Sequence, residues 1–424
     1  MKKVIFKGDI VFTPTKDKFQ VHKDSYLISE NGKVVKILKQ LGNEYNDYSI
    51  KDFTDKLIIP GFIDLHLHAP QYNNIGLGLD KELIPWLNTC TFPEEAKFYN
   101  VEYAKKTYKQ LIRDLWRYGT TSAVIYSSIH KDSTKLLMDL FIDSNMRGYI
   151  GKVNMNRNAI PELLEDTKIS IEETEEIIFE YKDKSSLVKP IITPRFVPSC
   201  TEELMEGLGQ LALKYDIPVQ SHLSENMSEV KWVKELHPGL PNYSSVYNQY
   251  NLFGQTKTIM AHCIYNTEDE LELMAKNQVY AAHCVYSNYN LSSGIMPVRE
   301  FLDREIPVGL GSDISGGNSL SIPSIMCGTV QASKIKWIET NKRLKPLTSS
   351  EVFYLGTKGG GSFFGNVGSF EKGYELDCLI IDDSNICDVD KLTLQDRIQK
   401  FIYTGDDRNI IERYIHGEKV HKPL

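Results

Sequence analysis

Along the chain the rhythm of hydrophobic and polar positions changes twice. Up to about residue 58 it offers short strand-like runs: Val4-Ile5-Phe6, Ile10-Val11-Phe12, Tyr26-Leu27-Ile28 and Val34-Val35-Lys36-Ile37-Leu38, with Asn31-Gly32 as a hairpin turn between the last two. From Leu57 onward, short apolar runs alternate with long stretches of helical character. The runs are Phe62–His68, Thr120–Ser127, Arg147–Met155, Leu187–Phe196, Pro218–Leu223, Thr258–Cys263, Val279–Val285 and Val308–Asp313. Eight runs with helix-sized spacers predict an α/β fold, a (β/α)8 barrel of the TIM type. Val101–Tyr118 and Glu202–Tyr215 carry apolar residues at helical spacing and stop just before the next run. After about residue 365 strand-like segments return in Leu376–Ile381, Phe401-Ile402-Tyr403 and Arg413–Val420, the last read as strand, turn and strand. The expected organisation is a barrel over 60–365 and a small composite β-sheet domain built from 1–59 and 366–424.

Composition narrows the setting. The 424 residues are 41% hydrophobic and 25% charged, a globular balance. The 49 basic and 56 acidic residues give a formal charge of −7, with no long basic block to grip phosphates or an anionic membrane, so nucleic acid is a poor partner. Seven cysteines, odd in number and without a CxxC clip, fit a reducing compartment, and a cytoplasmic location is expected. Met1–Asp9 starts basic but reaches a charge before any long apolar stretch, so it does not read as a secretory signal. No uncharged apolar run approaches membrane-spanning length.

Histidine position carries more than histidine number. In Pro60-Gly61-Phe62-Ile63-Asp64-Leu65-His66-Leu67-His68, period-two alternation puts Asp64, His66 and His68 on one face, with Ile63, Leu65 and Leu67 on the other. Both imidazoles then converge at the strand's C-terminal end, where barrels build their sites. Later runs also close on polar side chains: His222 in Gln220–Glu225, His262 in Met260–Cys263, and Asp313 in Gly309–Asp313. His66, His68, His222 and Asp313 form an N/O set suited to one Zn2+ per chain with a position left for water, although iron accepts the same donors. A metal-activated water is the expected nucleophile. His262 is read beside the metal, holding that water. Glu225, three residues beyond His222, suits a proton shuttle, and Asp313 suits a base. Each residue alone has a plainer reading as core histidine, helix cap or solvated carboxylate; together they point to catalysis.

The ordered set His66-x-His68, His222, His262 and Asp313 resembles the amidohydrolase superfamily. Within it, further segments resemble the guanine deaminase family: His68-Ala69-Pro70-Gln71-Tyr72, Trp86 with Thr91-Phe92-Pro93, Pro194-Arg195-Phe196, Ser221–Asn226, Ala282-His283-Cys284 with Ser287-Asn288, and Gly405–Ile410. The resemblance implies hydrolytic deamination of guanine to xanthine and ammonia in purine catabolism, by a zinc-dependent homodimer. It implies that His66, His68, His222 and Asp313 hold the metal and that Glu225, His262 and Asp313 act in catalysis. Gln71, Arg195 and Phe196 would hold the base, with His68, His222, Glu225 and Asp313 also lining its site. The residue types agree: Arg offers donors that match guanine O6 and N7, and Phe offers a face for stacking. Another aminated purine, a pterin or a triazine would suit the same metal site, and a non-catalytic scaffold is the reading from another class. Where the family often has Pro after the His-Cys pair this chain has Val285, and Tyr286 and Tyr289 make the next loop bulkier, which bears on the pocket rim. His416-Gly417-Glu418 is not followed by any Pro-Cys-x-x-Cys, unlike the other zinc deaminase design. The fourth run carries Lys189 near its start and not at its end, which favours one metal over two.

Overall fold

The structure, a computed structural model, describes residues 2–423. The chain starts with β1 (Lys3–Thr15), which turns back into β2 (Lys18–Glu30) and then β3 (Lys33–Leu38), all antiparallel. The two runs expected near the N-terminus are thus one long strand, kinked by a register shift between Gly8 and Ile10. A bulge of this kind bends a strand without ending it. β4 (Ser49–Pro60) returns parallel to β1 and hands the chain to the barrel.

The barrel strands are β5 (Phe62–His68), β6 (Thr120–Tyr126), β7 (Arg147–Gly151) with β8 (Val153–Asn154), β9 (Val188–Pro190) with β10 (Thr193–Pro194), β11 (Val219–Leu223), β12 (Thr258–His262), β13 (Tyr280–His283) and β14 (Val308–Leu310). β5-β6-β7-β9 and β11-β12-β13-β14 are parallel ladders. The two halves meet through an Ile192–Val219 bridge on one side. On the other, Asp313 N donates to His66 O at 2.8 Å and His68 N to Ile314 O at 3.1 Å. One closure of the barrel is therefore made from the backbone of candidate site residues. The expected third and fourth strands are each broken in two, and the seventh ends at His283, after which Val285–Asn290 is helical.

Helices between strands form where the apolar stripe and the caps agree. In Val101–Arg117 the buried Ala104, Tyr108, Leu111, Ile112 and Leu115 fall at helical spacing, and Asn100 caps the first turn by accepting from Glu102 N and Tyr103 N. In Glu202–Tyr215 Thr201 caps the start, and Asp216 ends the helix in the left-handed region. The barrel interior is filled by Ile63, Leu65, Val124, Ile191, Ile259, Ala261 and Ala282, plugged by Phe363. β14 and the residue after it can pass close to β5 only because both carry a glycine: a Cβ on Gly309 would collide with the Leu65 side chain, and one on Gly311 would lie 2.9 Å from His66 Cβ.

β15 (Cys378–Ile381) then pairs antiparallel with β4, and β16 (Ile410–Ile415) and β17 (Glu418–Lys419) extend the sheet. The order β17-β16-β15-β4-β1-β2-β3 joins both ends of the chain in seven strands. Phe401-Ile402-Tyr403 is not a strand but part of the helix Leu394–Thr404. Over the wider window Leu394, Arg397, Ile398, Phe401 and Ile402 make a buried helical stripe, opened by a Thr393–Asp396 capping box. Among the described residues no helix is long and apolar enough to cross a membrane.

Candidate active site

β5 does not alternate simply. Its pairing with β6 slips between Asp64 and Leu67, with one extra residue on β5. Ile63 and Leu65 enter the barrel interior and Leu67 packs on the helix side with Ile125, yet His66 and His68 both reach the mouth. Asp64 does not share their position: its Oδ1 accepts from His66 N at 3.2 Å and Ser312 N at 2.9 Å, at the β5–β14 seam. The expectation of one polar face and one apolar face on this strand is corrected by that bulge.

At the mouth, three imidazoles and a carboxylate crowd together. His68 Nε2 is 3.1 Å from His222 Nε2, His66 Nε2 is 3.1 Å from Asp313 Oδ1, and His68 Nε2 is 3.6 Å from the same oxygen. His222 Nδ1 donates to the Arg195 carbonyl at 2.5 Å, which leaves Nε2 as a bare lone pair facing the cluster. His66 Nε2 is buried and lacks any aligned hydrogen-bond partner. Burial, then neighbouring His66 and His222, hold His68 well below the usual imidazole range; burial, His66 and His262 do the same to His222. Burial alone would raise Asp313, but His66, His262 and His68 outweigh it and keep the carboxyl well below its ordinary value. Neutral imidazoles and an ionised carboxylate are the forms that bind a cation. Donors at roughly 2.0–2.2 Å from one ion at tetrahedral angles sit about 3.3–3.6 Å apart; these three spacings approach that range, and the three imidazoles lie within 4.8 Å of one another. Lys189 is elsewhere, donating to the Lys182 carbonyl.

Asp313 turns its second oxygen to a different neighbour. Oδ2 is 3.7 Å from His262 Nε2, which is itself 3.4 Å from Glu225 Oε2. His262 Nδ1 meets the Asn288 side-chain amide at 2.9 Å, and Nε2 faces the two carboxylates. Burial, Asp313 and Glu229 push Glu225 well above the usual carboxyl range. The loop that presents it is held by Glu229, whose Oε2 accepts from Glu225 N at 2.9 Å and Asn226 N at 3.3 Å, while Tyr243 OH donates to Oε1 at 2.6 Å. His262, Cys263, Ser224 and Asp313 all have positive φ without being glycine.

Beside these groups lies a cavity lined by His68, Gln71, Arg195, Phe196, His222, Glu225, His262 and Asp313, with Leu83, Trp86, Leu87 and Leu291 as its apolar walls. Every residue expected from the sequence to act on substrate faces this cavity; His66 lies behind it with the metal donors. Val285, Tyr286 and Tyr289 do not line it, and Tyr286 OH instead donates to Ser324 O at 2.7 Å.

A model of the amidohydrolase family matches residues 57–420. The chain belongs to the amidohydrolase family. It is 40% identical to a guanine deaminase of Dictyostelium discoideum, over 98% of each chain, and 39% identical to the human guanine deaminase, over 98% of this chain and 96% of that one. A crystal structure of guanine deaminase from C. acetobutylicum with guanine bound in the active site superposes with a TM-score of 0.97 at 52% identity, covering 99% of this chain and 100% of that one.

Sequence reading missed several residues that the fold brings to the site. Tyr126, at the end of β6, lays its ring 4.5 Å from that of His68, 4.9 Å from His222 and 5.0 Å from His66. Cys284 is buried with its sulfur among the His66, His262 and Asp313 donors. Glu95 lies between Gln71 and Arg195. No local motif marked Tyr126 or Glu95. The place of Tyr126 at the end of a strand was the one available hint; Glu95 closes the short helix Phe92–Glu95.

Proposed function

We propose that this amidohydrolase deaminates guanine, adding water across the ring carbon that bears the amine and releasing xanthine and ammonia. The observation that carries the reading is the adjacency, in one buried cavity, of a tight N/O donor cluster, a protonatable Glu225 and a wall made of Gln71 and Arg195. Similarity to a chain with guanine bound in its active site supports the substrate. In this reading His66, His68, His222 and Asp313 hold one metal ion, proposed to be zinc. When bound, a divalent cation lowers the pKa of a water and so makes a nucleophile available at neutral pH.

The chain's own residues do the rest. Arg195 and Gln71 donate to the acceptor edge of the base, and Phe196 supports its face. His262, fixed by Asn288, orients the attacking water. Asp313 takes a proton at its Oδ2 edge, and Glu225 moves protons to the ring nitrogen and then to the departing amine. Leu83, Trp86, Leu87 and Leu291 exclude bulk water from the cavity. The barrel is proposed to span 60–365, with 1–59 and 366–424 as the second domain. A cytoplasmic homodimer acting in purine catabolism is proposed with it.

An ammonia-release assay on guanine, adenine and cytosine, with elemental analysis of the purified protein, tests this reading. Turnover of guanine with about one zinc per chain is expected. Release of ammonia from another amine but not from guanine would overturn the substrate and leave the fold intact.

A further inference from the structure

Glu95 is 1% exposed and stands between two residues of the cavity wall. Its Oε1 accepts from Gln71 Nε2 at 2.8 Å and its Oε2 from Arg195 Nη1 at 2.5 Å. On the other side of Gln71, Oε1 accepts from the Ser315 backbone N–H at 3.1 Å, with Ser315 Oγ at 3.4 Å. An ionised carboxylate can only accept and a backbone N–H can only donate, so the Gln71 carboxamide has one orientation. Its oxygen is committed to Ser315, and what remains for the cavity is an N–H. Arg195 has no acceptor in any state. The Phe92 ring, from the same short segment as Glu95, lies 5.2 Å from the Arg195 guanidinium carbon. One segment therefore holds Arg195 by both charge and ring face.

We propose that Glu95, which does not line the cavity, is a positioning residue that sets substrate choice by holding Gln71 and Arg195 as a wall of donors only. Such a wall satisfies a purine edge with acceptors at O6 and N7. It rejects a 6-amino purine, whose N–H would face N–H and stay unsatisfied on burial. A neutral amide in place of Glu95 offers one acceptor and one pair of donors, so it can satisfy only one of its two neighbours. Arg195 would then be free to turn, and the wall would lose its single polarity. This inference rests on the guanine reading above.

The test compares guanine with 2,6-diaminopurine, which keeps the 2-amino leaving group and exchanges the O6 acceptor for a donor. Steady-state kinetics of wild type, Glu95→Gln and Glu95→Asp are measured, with metal content and thermal midpoint alongside. For Glu95→Gln we expect the KM for guanine to rise about tenfold or more with kcat within roughly threefold, and the guanine preference over 2,6-diaminopurine in kcat/KM to fall about tenfold, on the scale of one charge-assisted hydrogen-bond pair. Glu95→Asp, which keeps the charge but retracts it by one methylene, should lie in between, and it carries the test if the amide variant does not fold. Equal losses on both substrates, or an unchanged preference, would overturn the proposal. Wild type that leaves guanine untouched would overturn the functional reading, and the inference with it.

Discussion

Two buried clusters of charge in this molecule invite comparison. In the terminal sheet domain Arg397 is 1% exposed and every arm of its guanidinium is used: Nε donates to Asp383 Oδ2 at 2.8 Å, Nη1 to Asp9 Oδ2 at 2.6 Å, and Nη2 to Asp383 Oδ1 at 2.7 Å and the Asp55 carbonyl at 2.9 Å. It ties both ends of the chain and β4 together. At the barrel mouth the side chains are as deeply buried, but His66 Nε2, His68 Nδ1 and Tyr126 OH lack an aligned hydrogen-bond partner. Leaving buried polar atoms unpaired costs stability, so a protein keeps such a cluster where something else completes it. Equal burial thus separates into a fastening, where donors and acceptors balance, and a site, where they do not.

That contrast can be broken from either side. Replacing His66 with Ala should remove the metal, with turnover falling by roughly three orders of magnitude or more because the nucleophile is no longer generated. Metal analysis beside ammonia release checks it, and metal retained with a tenth of the turnover would remove His66 from the donor set. Glu225→Gln keeps shape but cannot shuttle a proton; we expect metal content unchanged and kcat down about 10²–10⁴-fold. Near-normal turnover would take Glu225 out of the chemistry.

The fastening should answer differently. Arg397→Met strands Asp9 and Asp383 in the core, so a loss of about 3–5 kcal/mol in denaturant unfolding is expected, with kcat of the folded enzyme unchanged. A loss of kcat without a loss of stability would erase the distinction between fastening and site. A further, pH-dependent effect concerns His283, whose pKa is lowered to about 3 by burial and by His262. Its folded value lies below its unfolded one, so the folded state binds fewer protons. The full stability is present above about pH 6.5 and is lost as pH falls toward 3, at up to roughly 1.4 kcal/mol per pH unit. Denaturation midpoints between pH 7 and 4 should therefore slope more steeply for wild type than for His283→Gln; parallel slopes would show that His283 is not the titrating group.

Much of this was legible along the chain because it is local. Strand-sized apolar runs with helix-sized spacers marked the barrel, and polar residues closing those runs marked His66, His68, His222, His262 and Asp313. Caps and wider periodicity decided what short windows could not: Phe401–Tyr403 looks like a strand until Leu394, Ile398 and the Thr393 cap are counted with it. Alternation also failed at Asp64, because a bulge is set by pairing with β6 and not by β5 itself.

The sequence by itself determined which residue types stand at the C-terminal ends of the strands, since period, composition and motif are properties of neighbours in the chain. Only the tertiary structure decided which of them share a site. The barrel closes through Asp313 and His66 across the first and last of its strands, and Glu95 reaches Gln71 and Arg195 from a segment in which no pattern marked it. Tautomer, charge state and donor polarity follow from those distant partners, because a proton is held by the acceptor across from it and not by the residue beside it in the chain.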